Sequence, residues 1–235
     1  MLTFFGRGSA FSKMNNNAFF TDGSDLVLID CAMSSFHRIV EEGLDKICGG
    51  KEIKRIIVIV THTHSDHISG IAMLIHYAFY ILHIPVVVAA PSEEVRADLR
   101  YCCERLDGCA AQAYSIVLAE EPEIEWVKNV IPTDHSPELA GRCFGYELMV
   151  NGTHIVYTGD TRTLAPYEPY ITADTVLYSE ISTYRSEVHL YLYDNLDRLI
   201  ALSKQGTKVF LMHLDDEAQI QRAILYTDIR LAPLL

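Results

Sequence analysis

Thr61-His62-Thr63-His64-Ser65-Asp66-His67 places three histidines and one aspartate within seven residues, directly after the apolar run Ile56-Ile57-Val58-Ile59-Val60. That run reads as a buried strand. The residues that follow, Ile68 to Leu82, are apolar enough to form a helix packed on it. Four metal-capable side chains therefore stand on a strand-to-helix loop, where a rigid scaffold presents reactive groups. His62 and His64 are two apart and can converge on one metal from an extended turn. Asp66 and His67 are adjacent and can converge on a second. A polar surface loop is the bland alternative, and it gives no reason for so dense a cluster.

Around this loop the pattern is mixed α/β. Residues 2–5 and 18–30 read as opening strands, with Asp25 to Asp30 a strongly apolar strand ending in an acid. Gly6 to Asn17 reads as a loop. Ser34 or Ser35 is expected to cap a helix from Phe36 to Ile47 that Gly49-Gly50 closes. Val86–Ala90 is a buried strand, and Ser92 with Glu93-Glu94 opens a helix to about Leu106. Ser115–Leu118, Glu125–Val130, Phe144–Val150 and Thr153–Tyr157 are strand candidates. Asn151-Gly152 is a two-residue hairpin turn between the last two. Thr175–Tyr178 and Lys208–Met212 read as buried strands, and 191–204 and 215–226 as helices.

The chain has 235 residues, 49% hydrophobic and 21% charged, so disorder is not its default. No linker or repeat interrupts it, and a single domain over 1–235 is expected. Its N-terminus lacks a basic region followed by an apolar core, so no signal peptide is expected. Ile68 to Ala90 is broken by His76, His83 and Pro85 and does not read as a membrane span. The six cysteines show no metal-finger spacing and read as reduced, buried or half-buried thiols. A cytoplasmic location follows. The formal net charge is −12; two divalent cations would add +4, leaving −8. That balance argues against broad nucleic-acid binding but allows a small phosphodiester held at metals.

The H-x-H-x-D-H pattern after a hydrophobic strand resembles the metallo-β-lactamase fold superfamily. The family's later ligands have counterparts in the expected order: His135 in Pro132-Thr133-Asp134-His135, Asp160 in Tyr157-Thr158-Gly159-Asp160, and His213 in Leu211-Met212-His213. The resemblance runs from Gly6 to about Glu217. It implies a four-layer αβ/βα sandwich, two mixed β-sheets flanked by helices, with metals at one edge. It also implies that His62, His64 and His135 hold one ion, that Asp66, His67 and His213 hold the other, and that Asp160 bridges. Such donors suit zinc, with manganese or iron as alternatives. The oxygen-reducing diiron branch usually carries Glu where His64 stands, and the best-known antibiotic-degrading members carry Cys where Asp160 stands. Both departures favour zinc hydrolysis of something other than a β-lactam. Two such metals lower the pKa of a bridging water, and Asp66 is expected to orient the hydroxide or take its proton.

Ser179-Glu180-Ile181-Ser182-Thr183, then His189, then His213 resembles the phosphodiesterase branch that includes ribonuclease Z, as does the opening Gly6-Arg7-Gly8-Ser9. In that branch the counterpart of His189 touches the scissile phosphate and can protonate the leaving oxygen, and the counterpart of Glu180 can orient it. His189 also reads as a surface residue at a helix N-terminus, and Glu180 as a surface acid at a strand end. The chain has no long Gly-rich basic arm with which to grip tRNA. A small or cyclic nucleotide-like phosphodiester is therefore the expected substrate. A carboxylic ester, thioester or lactone is the alternative, and a non-catalytic binding protein on the same fold a third reading. The family implies a homodimer through 184–202. His76 and His83 read as core or lid residues, and His154 as an exposed hairpin residue. Tyr167, Tyr170, Tyr178, Tyr184, Tyr191 and Tyr193 read as pocket walls or as core and interface packing.

Overall fold

The computed structural model describes residues 1–235. Its first half builds one six-stranded sheet. Strands β1 (Thr3–Gly6), β2 (Asn17–Asp22), β3 (Asp25–Ile29), β4 (Arg55–Ile59), β5 (Val86–Ala90) and β6 (Tyr114–Leu118) lie side by side in chain order. From β3 onward the neighbours are parallel. The second sheet runs β12 (Arg230–Leu231), β11 (Lys208–Met212), β10 (Val176–Glu180), β9 (Thr153–Tyr157), β8 (Phe144–Val150) and β7 (Val127–Pro132). β7, β8 and β9 form an antiparallel meander, and β9, β10, β11 and β12 are parallel.

Burial separates these sheets into layers. β4 is buried along four of its five residues, as a strand covered on both faces must be. Ile57 and Ile59 join Val27, Ile29, Tyr146, Ile155, Tyr157, Tyr178 and Phe210 in a cluster drawn from both sheets. Ile56 and Val58 point the other way, into a cluster with Phe36, Ile39, Leu74, Ile75, Val95 and Leu99. Those residues come from helices α1 (Met33–Glu42), α4 (Ile71–Tyr77) and α5 (Glu93–Arg100). On the far side, Val156, Leu177, Val209 and Leu211 pack with Leu199, Leu202 and Ile220 of α6 (Leu192–Lys204) and α7 (Glu217–Ala223). The four-layer αβ/βα sandwich is thus present. No helix is long and apolar enough to cross a membrane.

Several local expectations are corrected. Residues 18–30 are a hairpin, because Gly23 at φ 53° turns the chain between β2 and β3. The helix expected from Phe36 begins at Met33, and neither Ser34 nor Ser35 caps it. Ala32 is the cap residue, and Ser35 Oγ instead donates to buried Asn17 Oδ1 at 2.5 Å. It breaks at Gly43, φ 75°, before the short α2 (Leu44–Ile47). The segment 68–82 is likewise split. α3 (Ser65–Ile68) is already helical within the motif, Gly70 separates it from α4, and a wider π-type turn closes the helix at Ala78–Leu82. A Cβ at Gly70 would stand 2.4 Å from Ala32 O, so the crossing with the start of α1 requires glycine there. The 215–226 helix is shortened to α7, opened by an Asp216 side-chain cap. Ser92 does cap α5, and Asn151 and Gly152 both take positive φ in the β8–β9 turn. His83 is exposed, at φ 58° after the π-type turn, rather than in the core. His154 is half-buried rather than exposed, because its ring bridges Glu147 Oε1 at 2.7 Å and Thr175 Oγ1 at 3.1 Å.

Candidate active site

The C-terminal ends of five strands meet at one edge of the sandwich, four of them parallel within the second sheet, and each delivers a polar group there. β4 leads to His62, His64 and the first turn of α3 with Asp66 and His67. β7 leads to His135, β9 to Asp160, β10 ends in Glu180, and β11 leads to His213. This is the end of a parallel sheet where ligands usually bind. The turn after β9 depends on Gly159, which sits at φ 58°. A Cβ on it would lie 2.5 Å from Phe144 O. Asp30 and His213 also take positive φ, 62° and 54°, a conformation that non-glycine residues hold only where surrounding bonds enforce it.

The structure brings all seven expected ligands together as two adjoining groups. His62, His64 and His135 form one; Asp66, His67, Asp160 and His213 form the other, with the facing donor atoms in each within 4.8 Å of one another. In the first, His64 Nδ1 is 3.0 Å from His62 Nε2 and 3.2 Å from His135 Nε2. In the second, Asp66 Oδ2 is 3.3 Å from the Nε2 atoms of both His67 and His213. Asp160 Oδ2 stands between the groups, 3.9 Å from His62 Nε2, 3.7 Å from His135 Nε2, 3.5 Å from His67 Nε2 and 3.3 Å from His213 Nε2.

The outer nitrogens of three of the five rings, His62, His67 and His135, are anchored, which frees their inner ones. His67 Nδ1 donates to Asp30 Oδ2 at 2.7 Å. His62 Nδ1 donates to Thr61 Oγ1 at 3.0 Å, and that hydroxyl donates on to Asp30 Oδ2 at 2.8 Å. Thr61 N donates to Asp30 Oδ1 at 2.8 Å. One fully buried carboxylate therefore sets the orientation of two rings in two groups, the outer support that metal-binding imidazoles commonly receive. His135 Nδ1 donates to Val188 O at 2.6 Å. Asn16 accepts from His213 N at 3.3 Å and donates to Tyr157 OH at 2.9 Å. Asp30, Thr61 and Asn16 were not among the expected site residues. The only signal for Asp30 was an acid at the end of an apolar strand.

Charge at the site is finely opposed. Burial would push the Asp160 carboxyl up, but His213 and His67 hold it well below the usual range. Burial would also favour neutral His67, yet Asp160 and Asp30 lift it well above the usual imidazole value. His62 is driven well below it, by burial and by neighbouring His67. Asp30 itself is pushed up by burial, with His67 opposing. Among these groups, His67 Nε2 and Asp160 Oδ1 are buried and lack a hydrogen-bond partner. Orphaned atoms of this kind are expensive unless something else binds them. Five imidazoles and two carboxylates gathered at one site are donors that suit divalent transition metals. The residues present therefore fit metal ions.

Glu180 and His189 adjoin this centre. Glu180 is fully buried, so it is no surface acid. It accepts from His189 Nδ1 at 3.0 and 3.2 Å and from Thr161 N at 2.6 Å. Burial works against a charged His189, but Glu180 outweighs it and raises the ring to about 9. The ring lies 4.8 Å from that of His135 and 5.1 Å from that of His213, between centroids, and its side chain remains 23% exposed. It stands before α6, against the His135 and His213 rings rather than on the outer surface. Tyr167 and Tyr178 are core residues, whereas Tyr184 and Tyr193 are exposed. Tyr191 stacks under the Arg185 guanidinium at 4.3 Å.

The model of the family described as "Anti-Pycsar protein Apyc1" matches residues 1–227. The chain belongs to that family. A family member from Paenibacillus xerothermodurans is 27% identical over 232 residues, covering 91% of this chain and 87% of the relative. One from Bacillus phage BSP38 is 28% identical over 242 residues, covering 91% and 88%. Among solved structures, the metallo-β-lactamase fold protein YhfI from Bacillus subtilis superposes with a TM-score of 0.72 at 14% identity, over 99% of this chain and 95% of the other. Human tRNase Z, short form, superposes with a TM-score of 0.64 at 15% identity, over 99% and 96%. The fold is therefore the metallo-β-lactamase fold. The protein is a hydrolytic enzyme.

Proposed function

We propose that the protein is a dinuclear metal-dependent phosphodiesterase acting on a small or cyclic nucleotide-like phosphodiester. The observation that carries this reading is the Glu180–His189 pair set beside two complete ligand groups. Hydroxide attack on a carbonyl needs no proton donor there where a metal stabilises the leaving group, whereas expulsion of an alkoxide from a phosphodiester gains from one. His62, His64 and His135 would hold one ion and Asp66, His67 and His213 the other, with Asp160 shared. Zinc suits these donors best. Bound there, such ions supply Lewis acidity toward a phosphoryl oxygen and water of lowered pKa.

The chain's own residues do the rest. Asp66, whose carboxylate stands between the His67 and His213 imidazoles, orients the attacking water and takes its proton. His189, kept protonated by Glu180, donates the Nε2 proton to the departing oxygen. Glu180 fixes the ring through Nδ1, so that Nε2 is the nitrogen left to face the substrate. The acidic charge and the short passage from Glu180 to His189 support a small substrate over tRNA. By the family's name the relatives are anti-Pycsar proteins, and we carry that action over to this chain. A cytoplasmic site of action and a homodimer accord with the sequence reading.

Replacing His189 with Ala tests the assignment. Turnover of a 3′,5′-cyclic nucleotide should fall by about 10²- to 10⁴-fold, the range for losing a general acid, with bound metal unchanged. Full activity in that variant would exclude the phosphodiesterase reading of the pair.

A further inference from the structure

The loop that carries His189 is held from outside by a residue that the chemistry above leaves unused. Asp215 lies two positions beyond His213, where the chain leaves β11. Its carboxylate accepts from Ser182 Oγ at 2.9 Å, from Thr183 N at 2.9 and 3.0 Å, from Thr183 Oγ1 at 3.0 Å and from Tyr184 N at 3.0 Å. Asp216 N donates to the same group at 2.9 Å. Both of its oxygens are therefore engaged, and most of the donors come from one three-residue turn.

That turn is the entrance to the His189 loop. Ser182 follows Glu180 by two residues, and its backbone meets the far end of the loop. Ser182 N donates to Leu190 O at 2.9 Å, and Leu192 N donates to Ser182 O at 2.8 Å. Residues 183–190 thus leave and return through one backbone bridge and contain no regular element. Within the loop, His189 meets Glu180, and Val188 O accepts a hydrogen bond from His135 Nδ1. A segment without a ladder of its own has conformational freedom to lose. Here the restraint comes from a carboxylate whose own backbone is continuous with a proposed ligand strand.

We infer that Asp215 is a positioning residue for the phosphodiester reaction: it clamps Ser182–Tyr184 so that the His189 ring stays seated on Glu180 over the metal groups. The inference rests on the phosphodiesterase reading. It predicts a defect in proton donation rather than in metal binding. Asp215→Asn keeps the volume but sets an NH2 against backbone and hydroxyl donors.

The test is kcat and KM of the metal-loaded protein, wild type and Asp215→Asn, on two substrates. Bis(p-nitrophenyl) phosphate releases a phenolate that leaves without a proton; a 3′,5′-cyclic nucleotide releases an alkoxide that needs one. The variant should lose about 10-fold or more in kcat on the cyclic nucleotide, as misplacing a general acid does, and stay within about twofold on the nitrophenyl ester. Its metal content and KM should hold. Asp216→Ala, which removes the cap of α7 next door, should lower the Tm without this split. Should Asp215→Asn fail to fold, Ser182→Ala loosens the same clamp from the other side and should show the same split. Equal losses on both substrates, or none on either, would overturn the role of Asp215. A wild type inactive on both substrates would instead overturn the phosphodiesterase reading, and the inference with it.

Discussion

Asp30→Asn should weaken metal binding although residue 30 touches no metal. The Asn carbonyl can replace Oδ1 and keep the 2.8 Å bond from Thr61 N. Its NH2 then replaces Oδ2, which accepts from His67 Nδ1 at 2.7 Å and from Thr61 Oγ1 at 2.8 Å. The threonine hydroxyl can rotate to accept, but it then turns its proton toward His62 Nδ1, which also donates to it. His67 can answer the new donor only by giving up its Nδ1 proton. In the neutral ring that proton moves to Nε2, the nitrogen that faces Asp66 and Asp160 and must be bare to bind a metal. Leaving the conflict unresolved strands a buried donor, at about 1–3 kcal/mol. Loss of such an outer partner commonly lowers metal affinity by about 10- to 100-fold, which is about 1.4–2.8 kcal/mol and agrees with that penalty. Competition with a graded series of chelators, followed by elemental analysis, measures the shift. Affinity within about twofold of wild type would refute the claim that Asp30 sets both rings.

Two glycines with similar backbones should respond differently to alanine. Gly152, φ 74°, faces open space, whereas Gly159, φ 58°, would drive its Cβ to 2.5 Å from Phe144 O. Gly152→Ala should cost roughly 1–2 kcal/mol of conformational strain, and Gly159→Ala roughly 1–3 kcal/mol more from overpacking; equal Tm losses would count against this. The thiols make a second check. Burial pushes Cys31 and Cys103 up to about 12 and Cys48 and Cys143 up to about 11, so a thiol reagent at pH 8 should label those four in the native protein only slowly. All six free thiols should react once the chain is unfolded, and rapid native labelling of Cys31 or Cys103 would contradict their burial.

The convergence of the His and Asp donors was legible in the sequence because their chemistry is concentrated. His62, His64, Asp66 and His67 share one loop, and the later ligands each follow an apolar strand. Their convergence needs only strand C-terminal ends meeting at one edge. Asp30 was not legible, because its role depends on the parallel pairing of β3 with β4, which sets it beside Thr61 and His67. The helix boundaries failed where tertiary contacts overrode local signals. Ser35 is drawn to Asn17 instead of capping α1, and Gly70 is fixed by the approach of Ala32 O. Glu180 and His189 stand out in the sequence only by their order before His213, and a strand-end acid or a histidine before a helix reads equally well as a surface residue; burial of the carboxylate decides between the two readings. His154 illustrates the limit in the other direction: a hairpin position suggests exposure, while Glu147 and Thr175 cover it.

The most direct test of the account is turnover of bis(p-nitrophenyl) phosphate by the zinc- or manganese-loaded protein, alongside Asp66→Ala. The account predicts metal-dependent release of p-nitrophenolate that the Asp66→Ala variant loses. Protein shown to carry metal at both groups, yet inert toward this ester and active on a lactone or thioester, would contradict it.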